Sequence, residues 1–356
     1  MDPNSKERYL WVKRRGILFS VGIAIALFFV CVYSLSVSNF ELSFMEAMRI
    51  VIDHLTGNVP DRSVDYAAWI RDHVVMDKTA PRTVGSVMAG VILAVGGVIM
   101  QTVTRNPLTD PYTIGISSAA MLGYTIALIY GISILPFVGG DAGTMANAFV
   151  FALIPSIVIV FVSSFKRISP IMMVLIGIGM MYMFSAFSTF LKFNASDETL
   201  QQIYEWSVGT VSSLTWGDIP ILTAAAVGVM VVFLFLARNV NILNAGDKVA
   251  QSLGVNPVRL RMLSFVVISI VIAVLVCKTG TIGFVGLVAP HIARLVTSND
   301  SKILIPASAV IGAALVVLSD VAVRLIGGLP VGVVTALIGS PLFIYILYVQ
   351  RKNASF

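Results

Sequence analysis

The side chains in this 356-residue sequence that could do chemistry are few, and their types point to charge pairing and hydrogen bonding rather than bond making. Of the three histidines, His54, His73 and His291, none stands in zinc or redox spacing with the two cysteines. Cys31 and Cys277 lie inside apolar runs, as small buried hydrophobes do. There is no Gly-x-x-x-x-Gly-Lys-Ser/Thr, so the chain has no P-loop with which to bind a nucleotide. No catalytic set, resident metal or cofactor is expected. The run Gly280 to Leu295 is apolar enough for a bilayer yet holds His291 and Arg294, three apart and so on one helix face that should look away from lipid. Pro290 removes a backbone donor and predicts a kink, while Gly283 and Gly286 permit close backbone approach. His291 reads as a hydrogen-bonded packing residue. Asp320 and Arg324 are four apart with the acid first, the spacing of a helix salt bridge.

The elements that must position these residues are membrane helices. The chain is 57% hydrophobic and 12% charged, with a mean hydropathy of +0.92, against about 25% charged residues in a soluble domain. That deficit makes it an all-α polytopic membrane protein and excludes an extended soluble domain. A net charge of +6 could suggest nucleic acid, but the Lys and Arg residues sit at segment ends, as topology determinants do. Ten transmembrane helices are predicted, at 16–37, 82–103, 113–133, 147–165, 170–192, 217–237, 260–277, 282–297, 303–323 and 331–349. With the N-terminus inside, sixteen of the 24 Lys and Arg fall on the inner side and eight on the outer, which favours both termini in the cytoplasm. The chain reads as a single transmembrane domain, 1–356, with a cytoplasmic N-terminal tail over 1–15. The outer segment 38–81 is rich in Asp and should include a short interfacial helix. A second outer segment, 193–216, carries Tyr204, Trp206 and Trp216, which suit an aromatic belt. The longest inner connection is 238–259.

Local patterns add detail. Asp110 before Pro111 predicts an N-cap followed by proline at the first helical position. Behind it, Gly115, Ala119 and Gly123 form a close-packing face. On the inner side, Gly246-Asp247-Lys248-Val249-Ala250-Gln251-Ser252-Leu253-Gly254 reads as a short helix capped by Asp247 and ended by Gly254, with Pro257 preventing its continuation. Such a helix is an ordinary loop element or a knob for a groove on a cytoplasmic partner. At the outer face, Lys78, Arg82 and Arg324 serve topology by snorkelling or bind something outside. Ser185, Ser188 and Thr189 share a helix face, as do Gly332, Ala336 and Ser340, and such faces pack helices or line a path.

These segments together resemble the FecCD-type permease family, the membrane subunits of binding-protein-dependent ABC importers for iron complexes and vitamin B12. The matching runs are Arg105 to Pro111 with Gly115 to Ala119, Trp206 to Gly209, Gly246 to Gly254, Gly280 to Leu295 and Leu329 to Pro341, in the family's order and spacing. The resemblance implies a type II ABC importer permease fold with ten spans in a prokaryotic inner or plasma membrane. It implies a permease dimer, homo- or heterodimeric, with two cytoplasmic ATPase subunits that bind the ATP, and an extracytoplasmic binding protein. Gly246, Asp247, Ala250, Leu253 and Gly254 then become the ATPase-coupling helix. Lys78, Arg82 and Arg324 become contacts for the binding protein. The expected cargo is an iron chelate, a ferric siderophore first, with haem or cobalamin next. The other class considered is an ion-gradient-driven secondary transporter, which needs buried carboxylates as a relay, and Asp320 is the only obvious acid in a span.

Overall fold

The computed structural model describes residues 3–38, 42–135, 138–165 and 168–354. Among them there are fifteen α-helices and no strands. In chain order these are α1 (Pro3–Ser34), α2 (Phe44–Leu55), α3 (Tyr66–His73), α4 (Ala80–Thr104), α5 (Ile116–Tyr130), α6 (Gly140–Phe165), α7 (Pro170–Lys192), α8 (Asp197–Val208), α9 (Ile219–Phe235), α10 (Ala237–Asn244), α11 (Asp247–Ser252), α12 (Pro257–Thr279), α13 (Val285–Val296), α14 (Ser301–Ile326) and α15 (Val331–Ala354).

Every predicted span coincides with one of these helices. Among the described residues six helical stretches are long and apolar enough to cross a membrane, and α9 with α10 forms a seventh, bent by 61°. The helices α5, α13 and the described apolar part of α15 are shorter. The basic residues 13–15 lie within α1, so the expected tail and first span are one helix. The segment 38–81 holds two helices, α2 and α3, tied by His54 Nδ1 to Asp72 at 3.0 Å. From Tyr66 the chain stays helical through to Thr104. A π-helical turn at Val74–Thr79 joins α3 to α4, and its wider hydrogen bond, Ala80 N–H to the Val75 carbonyl, comes just before Pro81, which has no donor to offer.

Helix α4 is the centre of the bundle, with twenty of its 25 residues buried. Its sequence explains this, because Gly85, Gly90, Gly96 and Gly97 lie among Ala and β-branched residues and let neighbouring backbones approach. A Cβ at Gly97 would collide with the Gly286 carbonyl of α13, and one at Gly90 with the backbone of α14 at Gly312 and Ala313. Peripheral α1 is the opposite case, leaving Leu18, Phe28 and Phe29 exposed, as expected of a lipid-facing helix.

Gly97→Val should therefore remove about 3 kcal/mol or more of stability, because the obstructing atom is backbone and cannot rotate away. Gly22→Val, with nothing within 4 Å of its would-be Cβ, should be neutral. Thermal unfolding and size-exclusion profiles of the purified variants check the contrast.

Candidate functional site

At the end of the bundle that carries α11, two arginines converge on one carboxylate. Arg261, in the second turn of α12 and only 1% exposed at its side chain, donates from Nη1 to Asp247 Oδ2 at 2.8 Å and from Nη2 to Asp247 Oδ1 at 2.7 Å. Its Nε donates to the Val103 carbonyl in the last turn of α4, at 2.8 Å. Arg105, the left-handed C-cap of α4 (φ 52°), places Nη2 2.7 Å from the same Asp247 oxygen and 3.1 Å from the Leu243 carbonyl of α10. The Asp247 carboxyl is held below the usual carboxylate range, first by the hydrogen bonds from Arg261 and then by the charges of both arginines.

This corrects one expectation. Asp247 does not cap α11; it is the helix's first residue, and the N-cap is Gly246, at a φ of 123° that suits glycine. The predicted stop is found as a hydrogen-bond pattern: Gly254 N–H reaches the Gln251 carbonyl at 3.0 Å and Val255 N–H the Ala250 carbonyl at 2.9 Å, around Gly254 at φ 79°. Asn256 then caps α12 ahead of Pro257. Ala250 is buried against the bundle, while Leu253 is 61% exposed. The helix is thus clamped by its acidic end and presents its apolar tip outward.

A second tie was not visible in the sequence. Pro290 sits inside α13 and offers no N–H to the Gly286 carbonyl four residues back. Gln101 of α4 fills the gap, donating from Nε2 to that carbonyl at 3.3 Å, and Arg294 Nη1 donates to Gln101 Oε1. His291 turns the other way, donating from Nδ1 to the Leu287 carbonyl at 2.7 Å and meeting the Phe343 ring of α15 edge-on at 5.2 Å. The predicted Asp110 cap is present, accepting from the Tyr112 and Thr113 N–H groups at 3.1 and 2.9 Å.

At the opposite end, Asp320 is 1% exposed at its side chain and lies 2.6 Å from Arg82 Nε and 2.9 Å from Arg324 Nη2. The expected Asp320–Arg324 pair is present, but Arg82 was not expected to join it. Arg324 also donates from Nη1 to the carbonyls of Ser34 and Val37, at 2.8 and 2.9 Å, and so caps the end of α1. Both arginines therefore point inward, and of the three expected docking residues Lys78 is the exposed one. Trp206 and Trp216 make tertiary contacts, the first stacked on Tyr124 at 4.4 Å and the second donating to the Met76 carbonyl at 2.7 Å, while Tyr204 is exposed.

Ser185 and Thr189 are exposed on α7, whereas Ser188 is buried against Thr125 at 3.2 Å. Ala336 and Ser340 are half-buried on α15, and a Cβ at Gly332 would strike the Val208 carbonyl, so Gly332 is a contact point rather than a lining residue. Among the described residues no group of three or more His, Cys, Asp or Glu is arranged to hold a metal ion.

The family model described as the FecCD transport family matches residues 26–349. The chain is 32% identical over 356 residues to the "Putative ABC transporter permease protein" of Methanocaldococcus jannaschii, covering 98% of this chain and 99% of that one. To the iron(3+)-hydroxamate import system permease protein FhuB of Bacillus subtilis it is 33% identical over 287 residues, 79% of this chain and 72% of the other. Among solved structures, one titled "An inward-facing conformation of a putative metal-chelate type ABC transporter" superposes with a TM-score of 0.79 at 28% identity, covering 92% of this chain and 98% of that one.

Two outcomes test the charge clusters. Asp320→Ala strands two arginines away from water and should cost about 3–5 kcal/mol, read as lost expression and a lower unfolding temperature. Asp247→Ala should cost less, on the order of 2 kcal/mol, because its side chain is 39% exposed. Since the Asp247 pKa is lowered on folding, its contribution is complete above the ordinary carboxylate pKa of about 3.9 and is lost only as pH falls below it. Stability measured between pH 5 and 8 should therefore differ between wild type and Asp247→Ala by a constant amount.

Proposed function

The chain belongs to the FecCD transport family, a family of membrane transport permeases, and from that premise we propose that it is the permease subunit of a binding-protein-dependent ABC importer that carries a ferric siderophore into a prokaryotic cell. The observation that carries the reading is the seat of α11. A six-residue helix clamped through Asp247 to two arginines, with Leu253 outward, is built to receive force from a separate subunit and pass it on. In this reading ATP is bound and hydrolysed by two cytoplasmic ATPases, α11 seats in each, and closure of the ATPase dimer drives alternating access. The permease itself makes and breaks no covalent bond. The apolar faces that α7 and α15 leave exposed look across the cargo path towards a second permease subunit. The reading has ten spans with both termini inside, supported by the six long helices, the bent pair and the three shorter ones together with the charge count. Lys78 is placed to meet a carboxylate of the binding protein, with Arg82 and Arg324 holding the rim in shape around it.

The iron-chelate assignment is supported by the relative named for an iron(3+)-hydroxamate system. A gradient-driven transporter would need a carboxylate free to load and unload a proton. Here the buried Asp72 is held by His54, Asp110 by two backbone N–H groups and Asp320 by two arginines.

Reconstitution in proteoliposomes with the ATPase and binding protein tests the reading. Leu253→Arg should lower ATP-dependent uptake of a ferric hydroxamate at least tenfold while the protein remains inserted, and undiminished uptake would refute the coupling role. Ala250→Pro should also uncouple, but Ala250 is buried, so a folding control is needed. Parallel uptake of haem, cobalamin and molybdate assigns the cargo. A cysteine at Asp65 should label with an impermeant reagent from outside, and one at Lys248 only after permeabilisation.

A further inference from the structure

We propose that the cleft between α1, α10 and the start of α14 is a binding site for one anionic phospholipid of the inner leaflet. The cleft has a volume of about 820 Å³ and is lined by the cations Lys13, Arg238 and Lys302, by the apolar Ile17, Val21, Ile303 and Pro306, and by Leu253 at the tip of α11. Ligand sites commonly span about 300–1,000 Å³.

The order of residues along the two walls makes the case. Helices α1 and α14 both begin at this end of the bundle. On α1 the cation Lys13 is followed one and two turns later by Ile17 and Val21, roughly 6 and 12 Å further along the axis. On α14 the cation Lys302 is followed by Ile303 and then by Pro306, about 6 Å deeper. Arg238, at the start of α10 just past the 61° bend from α9, supplies a third cation at the mouth. Charge at the surface and hydrocarbon beneath it is the polarity profile of a phospholipid, with the headgroup at the rim and an acyl chain along the wall. A soluble anion would leave the apolar depth of the cleft unused. Basic pockets between helices on the cytoplasmic side are where anionic headgroups are held.

Charge complementarity supports the same occupant. Three cations, Lys13, Arg238 and Lys302, face a single acid in the lining. The one acid in the lining, Asp300, caps α14 by accepting from Lys302 N–H at 3.0 Å and also accepts from Asn241 Nδ2 at 2.7 Å. Asn241 in turn accepts from Ser301 N–H at 2.8 Å, which fixes α10 to α14 and shapes one side of the cleft. Gly16 sets the other side, since a Cβ there would press on Thr297 and Ile303, at 3.0 to 3.2 Å. The α1 wall is the bundle's periphery, where lipid has access.

The inference uses the reading of α1 and α14 as membrane spans and is independent of the cargo; because Leu253 of α11 also lines the cleft, the arm with the ATPase present separates a lipid site from a coupling surface. The test uses the full-length permease purified in mild detergent, alone and with its ATPase, with bound lipid counted by native mass spectrometry after addition of phosphatidylglycerol or phosphatidylcholine. Wild type should retain phosphatidylglycerol at least tenfold better than phosphatidylcholine. The single changes Lys13→Gln, Arg238→Gln and Lys302→Gln should each lower that retention about fivefold. They are exposed, so the fold should survive, and an unchanged unfolding temperature verifies it. Equal retention of the two lipids, or retention unaffected in all three variants, would overturn the proposal. So would displacement of the lipid by inorganic phosphate, which marks a soluble-anion site, or loss of the lipid on ATPase binding, which marks a protein interface.

Discussion

A guanidinium in or near hydrocarbon must find an acceptor; Arg294 takes the Gln101 amide oxygen, and the other buried arginines take a carboxylate through one device used twice. Asp320 is shared by Arg82 and Arg324 at one end, and Asp247 by Arg105 and Arg261 at the other. Each device includes one arginine from α4, Arg82 in its first turn and Arg105 as its C-cap. The most buried helix is thereby pinned at both ends to elements distant in sequence: α14 and the end of α1 at one, α11 and α12 at the other. Breaking the buried Asp320 pair costs about 3–5 kcal/mol, and breaking the partly exposed Asp247 pair on the order of 2. Neither cluster can come apart cheaply while the helices remain in place.

Between its pins α4 is held by close approach rather than bulk. Glycines at 90 and 97 bring α14 and α13 to backbone contact, and the Gln101 amide replaces the hydrogen bond that Pro290 cannot make. The mechanical consequence is specific. Arg261 holds both Asp247 of α11 and the Val103 carbonyl of α4, so the inner ends of α4, α11 and α12 form one hydrogen-bonded unit. A force on the exposed tip of α11 reaches the bundle's central helix through two short contacts, with no flexible loop between. Packed interiors shift as units rather than deform continuously.

Local signals read correctly from the sequence and distant ones did not. The ten apolar helices, the Asp110 cap, the glycine stop after α11 and the i,i+4 pair of Asp320 and Arg324 all depend on residues within a few positions of one another. What escaped were partners far apart in the chain, Arg82 with Asp320, Gln101 with Gly286 and Arg261 with Asp247. Gln101 and Arg261 read as ordinary residues at the end of a span, and only the fold gives them an orphaned carbonyl and a carboxylate. Asp247 was recognised but assigned the wrong bond, because an acid before a short helix is usually a cap and nothing local announces two arginines. The predicted span begins at 82, whereas the chain is helical from Tyr66 across Pro81, because a π turn at Val74–Thr79 makes room for a residue with no N–H.

The helix faces expected to line a path have their hydroxyls already occupied, which bears on selectivity. Thr189 donates to the Ser185 carbonyl at 2.9 Å, Ser340 to the Ala336 carbonyl at 2.8 Å and Thr335 to the Gly332 carbonyl at 3.0 Å, while Ser185 reaches Ser118 at 3.4 Å. What α7 and α15 leave outward is apolar and aromatic, including Tyr182, Phe187, Phe190, Leu337 and Tyr345. A surface of that kind separates solutes by size and shape, and apolar pockets discriminate close analogues by only about 10–200-fold. Strong chemical selection needs buried polar groups aimed at the cargo, and on these faces such groups are turned onto their own helices or a neighbour. Choice of cargo therefore belongs upstream, to whatever presents it, and the permease is free to spend its polar side chains on holding α4 in place.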